Sequence, residues 1–234
     1  MPLRTLPLLL ALTLALGACS ATDEVAMTTV TPERAVLQPG APGEANTTHT
    51  GPIAIPVEEP SAADVTFAQA MIVHHAQALE MVEVAREGLT DEQVRSLADR
   101  ISAAQGPEIG SLVAWLTEHG EPVPQEAVEA GIDVEALGAD VGARAPGGGH
   151  GHDEDMAGMA SPEQLEDLAA ARGQDADVLF LELMTAHHEG ALAMVDEHAT
   201  GGIDPRMREM ADEMAVEQTV EIERMAELLE RLRG

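Results

Sequence analysis

The chain has 234 residues and a formal charge of −30, from 42 Asp and Glu against 12 cationic residues, all of them Arg. That balance repels phosphate backbones and argues against nucleic acid as a partner, while a solvated acidic exterior accumulates cations. Hydrophobic residues make up 45% of the chain but aromatic ones only 1%, so a core must be filled by Ala, Leu, Val, Ile and Met, a palette that favours helices over strands.

Arg4 precedes an apolar run from Leu6 to Leu16 that is too short to span a bilayer and has the form of an export signal. Leu16-Gly17-Ala18-Cys19 resembles the lipobox of bacterial lipoproteins, which predicts cleavage after residue 18 and acylation of Cys19. The expected location is the outer face of the cell membrane or the outer membrane, held by the lipid anchor alone. Cys19 is the only cysteine, so no intramolecular disulfide forms and no thiol serves the folded domain. Residues 19–62 are rich in Thr, Pro, Ala, Gly and Glu without helical periodicity and read as a disordered tether.

Helical spacing begins at Asp64 and continues to about His119, predicting a first helical hairpin over residues 63–120. Residues 121–160 form a linker containing Gly147-Gly148-Gly149-His150-Gly151-His152. Ser161-Pro162-Glu163 is a helix start, with Ser as cap and Pro at the first position. Residues 161–234 then supply a short helix and a second hairpin.

The two hairpins repeat each other at a constant offset of 113: Phe67, Met71, His74, His75, Ala78, Met81 and Val82 match Phe180, Met184, His187, His188, Ala191, Met194 and Val195. Ala98, Asp99, Gln105, Glu108 and Ile109 match Ala211, Asp212, Gln218, Glu221 and Ile222 in the same register. One hairpin cannot bury its apolar stripe from both sides, whereas two related by a pseudo-twofold axis can. The prediction is an all-α four-helix bundle.

At 100° per residue, Phe67, Met71, His74, His75, Ala78 and Val82 share one face of the first helix. On the second helix Gln105 and Glu108 interrupt the apolar stripe of Val94, Leu97, Ile101 and Leu112, and Gln218 and Glu221 do the same in the second hairpin. Buried polar groups need partners, because an unpaired one costs about 1–3 kcal/mol. One reading is a hydrogen-bonded network that binds nothing. The other is convergence of imidazole, thioether and carboxylate on a metal ion, with Gln105, Glu108, Gln218 and Glu221 as ligands or as supports for them. Met71, Met81, Met184 and Met194 lie beside the histidines in both repeats and serve as ligands or as core packing. The linker offers a second, weaker constellation in His150, His152, Asp153, Met156 and Met159, whose affinity is limited by the entropy of ordering a Gly-rich segment.

Met71-Ile72-Val73-His74-His75 with Ala78-Leu79-Glu80-Met81, and Phe180-Leu181-Glu182-Leu183-Met184 leading into His187-His188-Glu189-Gly190-Ala191, resemble the bacterial domain of unknown function 305 family. The similarity covers roughly residues 63 to 120 and 155 to 234. The resemblance implies a ferritin-like bundle of two-helix repeats in exported proteins, with the His-His pairs functional and some members handling copper. It implies no enzyme activity. Gly106-Pro107 departs from the family pattern, and a proline inside a helix predicts a kink just before Glu108.

Copper capture or buffering in the envelope is the leading expectation. Imidazole suits Cu(II) and thioether Cu(I), and other divalent transition metals are chemically compatible with the same donors. A ferritin-like di-metal oxidase is an alternative, but such bundles use Glu-x-x-His, which occurs nowhere in this chain. A metal-free scaffold or interaction module is the third reading, since buried polar networks can serve fold specificity alone.

Overall fold

The computed structural model describes residues 27–56, 59–139, 141 and 156–234. The segment 1–18 expected to be an export signal, Cys19, His150, His152 and Asp153 lie outside them. The chain divides into two units, Met1–Glu58 and Glu59–Gly234.

In the first unit β1 (Met27–Val30) pairs antiparallel with β4 (Ile53–Pro56), and within them β2 (Val36–Gln38) pairs with β3 (Thr47–His49). This corrects the expectation of a tether without regular structure. β-Branched residues such as Thr28, Thr29, Val30, Ile53 and Ile55 fit extended backbone, and the intervening Pro and Gly residues supply the turns.

The second unit is helical: α1 (Ala62–Ala85), α2 (Glu92–Glu118), the single turn α3 (Glu126–Glu129), α4 (Pro162–Ala170), α5 (Gln174–Gly201) and α6 (Pro205–Arg233). Among the described residues no helix is long and apolar enough to cross a membrane. Ser61 and Ser161 close capping boxes with Asp64 and Gln164, and Asp91 and Asp204 cap α2 and α6, so every long helix but α5 has a side-chain cap. α2 passes through Pro107 without a break. The carbonyl that Pro107 leaves without a helical donor belongs to Ala103, an exposed residue.

α1 packs on α2, α5 on α6, and the two hairpins join through α1 and α5. α2 and α6 stand further apart, and a groove of about 660 Å³ lined by Arg100, Val216, Glu217, Val220, Glu221 and Arg224 opens along α6.

Buried aspartates tie the hairpins together reciprocally. Asp64 accepts hydrogen bonds from the Ile203 and Asp204 amides at 3.1 and 3.2 Å, in the turn of the second hairpin. Its repeat equivalent Asp177 accepts from the Thr90 amide and hydroxyl at 2.9 and 2.8 Å and from the Asp91 amide, in the turn of the first. Each hairpin thus supplies the acceptor for the other's turn. His198 donates to Asp64 at 2.8 Å and stacks on Phe67, with ring centroids 4.6 Å apart. Burial raises the Asp64 pKa, but hydrogen bonds from Ser61, His198 and Ile203 outweigh it and bring the carboxyl to about 2.

Candidate metal centre

The helical unit has two apolar clusters with a polar layer between them. Along α1, Phe67, Met71 and Ile72 belong to one cluster and Ala78, Met81 and Val82 to the other. Along α5 the boundary falls between Met184 and Ala191, and α2 and α6 divide in the same way. His74 and His75, His187 and His188, and Gln105 and Gln218 occupy the interval, all buried. Tertiary burial thus follows the polar interruption of each apolar stripe.

His75 Nε2 lies 2.9 Å from Glu108 Oε2, and the equivalent His188 Nε2 lies 2.7 Å from Glu221 Oε2. A carboxylate can only accept, so both rings donate through Nε2–H. Glu108 and Glu221 are 20% and 12% exposed, which corrects the expectation that they are enclosed with the histidines: they form the rim of the layer, and Glu221 also lines the groove. At the centre the rings of His74 and His187 meet at 3.8 Å between centroids, tilted by 36°.

Burial brings the His74 pKa down to about 3, assisted by repulsion from His75 and His188. His187 is likewise pushed well below the ordinary histidine range by burial and by repulsion from His74, His188 and His75. Both rings are neutral at physiological pH, the form that donates a lone pair to a metal. Glu217, on α6 at the groove, is raised by burial and by the carboxylates of Glu108 and Glu221.

A short strap, Met156–Ala160, crosses this layer. The Ala157 carbonyl accepts from His74 Nε2 at 3.2 Å, and Gln77 grips Ala160 twice, donating to its carbonyl at 2.9 Å and accepting from its amide at 2.7 Å. After these bonds the layer still holds unpartnered buried atoms: Nδ1 of His74, His75 and His188, both ring nitrogens of His187, and the Gln105 and Gln218 Oε1 atoms.

The sequence-derived set thus separates. His74, His75, His187, His188, Gln105, Gln218, Glu108 and Glu221 come together. Met71 and Met184 are buried at the edges of opposite clusters, one turn from the histidines, whereas Met81 and Met194 sit with apolar neighbours a further turn away. Met156 and Met159 are half-buried on the strap, and Met159 lines a surface groove with Gln77 and Glu80. Among the described residues no group of three or more His, Cys, Asp or Glu is arranged to hold a metal ion as it stands. Asp64, Asp177, Gln77 and the strap escaped the sequence reading. The matching offset of Asp64 and Asp177 was the available signal for the first two.

Solved structures resemble this chain over both hairpins. A DUF305 protein presumed secreted, from Streptomyces coelicolor, is 29% identical with a TM-score of 0.60, covering 74% of this chain and 94% of that one. A DUF305 fragment from Deinococcus radiodurans is 28% identical with a TM-score of 0.59, covering 74% and 99%. CopM in its Cu(II)-bound form is 25% identical with a TM-score of 0.53, covering 72% and 96%. Among curated proteins none matches the sequence. The model of the domain of unknown function DUF305 matches residues 64–229, both repeats and the strap between them, and the chain belongs to that family.

Proposed function

We propose that this protein captures copper in the cell envelope, as an exported lipoprotein held by Cys19, with the polar layer of the helical unit as its binding site. The observation that carries the reading is the set of unpartnered buried imidazole nitrogens, those of His74 and His187 on rings that burial keeps neutral. A buried polar atom without a partner costs about 1–3 kcal/mol, and a cation coordinated by these nitrogens relieves that cost. Their chemistry fits: neutral imidazole suits Cu(II), and the neighbouring Met71 and Met184 thioethers suit Cu(I). The solved relative in a Cu(II)-bound form supports the choice of ion.

His74, His75, His187 and His188 are the proposed ligands, with Met71, Met184, Gln105 and Gln218 as additional donors. Glu108 and Glu221 orient His75 and His188 through their Nε2–H groups and leave Nδ1 for the ion. Because the His74 and His187 rings touch, a cation bound by both must part them. The groove along α6 brings solvent to Glu221 and is the proposed approach. The four long helices in this reading are a ferritin-like bundle opened along α2 and α6. Capture requires no bond-making residue, and no catalytic role is assigned.

A metal-free structural module is the second reading, favoured by the two completed His–Glu pairs. Equilibrium dialysis against Cu(II) of untagged protein separates them. The expected result is a stoichiometric site that survives deletion of residues 147–159 only in part, because the deletion takes Met156–Met159 and with them the Ala157 carbonyl that pairs with His74. It is lost when His74, His75, His187 and His188 are replaced together by Gln in protein that circular dichroism finds helical. Undiminished binding by that folded variant would assign the copper to His150 and His152 instead.

A further inference from the structure

Positions 77 and 190 are equivalent in the two repeats, yet one is Gln and the other Gly. Both face the same strap. Gln77 holds it by the paired hydrogen bonds to Ala160. Gly190 admits it by having no side chain: a Cβ there would lie 2.9 Å from Gly158 Cα and deeper still into the Ala157 carbonyl. Gly158, with φ +79°, sits in turn 3.0 Å or less from the α5 backbone when given a Cβ, so the strap rests directly on Ala186, His187 and Gly190. At this position the two repeats have thus diverged into a clamp and a seat.

The consequence falls on His74. A carbonyl oxygen can only accept, so the hydrogen bond from His74 Nε2 to Ala157 requires the proton on Nε2 and the lone pair on Nδ1. His187, the equivalent ring, touches His74 but has no hydrogen bond at either nitrogen. The strap therefore makes the two central histidines inequivalent, although the sequence around them repeats.

We propose, resting on the metal-binding reading above, that the Met156–Ala160 strap is a built part of the copper site: its Ala157 carbonyl fixes His74 as the Nε2–H tautomer so that His74 binds through Nδ1, and Gln77 and Gly190 are the positioning residues that hold the carbonyl there. His187 remains free to turn toward the ion. A fixed outer partner for a ligand histidine is worth about 10- to 100-fold in metal affinity.

The test uses the full-length chain, labelled with ¹⁵N-histidine, as Gln77→Leu and Gly190→Ala variants beside the parent. Long-range ¹⁵N–¹H correlation in metal-free protein reads the His74 tautomer, assigned by its loss in His74→Gln, and titration with Cu(II) alone reads affinity. The parent should have His74 as the Nε2–H tautomer. Both variants should move it toward the other tautomer or an exchanging mixture, with Cu(II) affinity lower by about 10- to 100-fold. Gln77→Leu removes the clamp without adding bulk against backbone, so it carries the test if Gly190→Ala does not fold. An Nδ1–H tautomer in the parent, or an unchanged tautomer in the folded variants, overturns the proposal. So does a shifted tautomer with unchanged Cu(II) affinity. A tautomer that responds as stated in a protein that binds no Cu(II) in any form overturns the copper reading and supports the strap's hold on His74.

Discussion

Lowering the pH from about 7.5 to about 5 should destabilise the metal-free helical unit, by about 2 kcal/mol through His74 and further in the same direction through His187. Folded His74 takes up a proton only near pH 3, and His187 is also pushed well below its ordinary value. In the unfolded chain both titrate near pH 6.5. The unfolded state therefore binds more protons throughout the window between about 6.5 and 3, so stability is unaffected well above 6.5 and falls as pH drops through it. At pH 5 the His74 ring contributes about RT ln(1 + 10^1.5), or about 2 kcal/mol, and His187 adds to it in the same direction. Because both rings are buried, solvent screening does not dilute the effect. Urea unfolding followed by circular dichroism should register a fall in midpoint of at least about 1 M for a typical denaturant slope. Replacing His74 by Gln, neutral at both pH values, should remove the His74 share of the pH dependence, about 2 kcal/mol. A parent midpoint that does not move, or a His74→Gln variant whose dependence equals the parent's, would refute the reasoning, since it would mean that the rings are solvated or already charged in the folded state.

Two further outcomes follow from the geometry and the proposal. Asp177→Ala strips the acceptor from the Thr90 and Asp91 amides and should cost about 3 kcal/mol. It should accelerate hydrogen exchange at those two amides while sparing Ile203 and Asp204, and Asp64→Ala should give the mirror pattern; equal acceleration at both turns would rule out the reciprocal clamp. For the anchor, Cys19→Ser should release the protein from membranes and abolish incorporation of radioactive fatty acid, and an unlabelled parent distributed like the variant would remove the lipoprotein assignment.

Much of the helical unit was legible before any coordinates. The offset of 113 shared by His74 and His187 or by Gln105 and Gln218 reveals two hairpins, because repeated side-chain chemistry in a repeated register needs the same backbone twice. Periodicity alone also located the polar layer, since Gln105 and Gln218 fall within stripes that are otherwise apolar and are buried as those stripes are. Local chemistry likewise located the cap at Ser161. Between residues 27 and 56 it misled, because Pro and Gly mark turns between short strands as readily as they mark a tether.

What only the tertiary structure decided involves groups far apart in sequence or without side-chain identity. Asp64 meets the Asp204 amide across 140 residues, and His74 meets Ala157 across 83. The partner in each case is a backbone N–H or C=O, which every residue carries, so no residue type announces it. Gly190 reads as a helix-weakening residue until the strap is laid against it. The groove along α6 and the exposure of Glu108 and Glu221 at the layer's rim follow from how the two hairpins dock. The repeat determined what each hairpin contains; only the packing of one against the other, and of the strap against both, decided that the two central histidines are not alike.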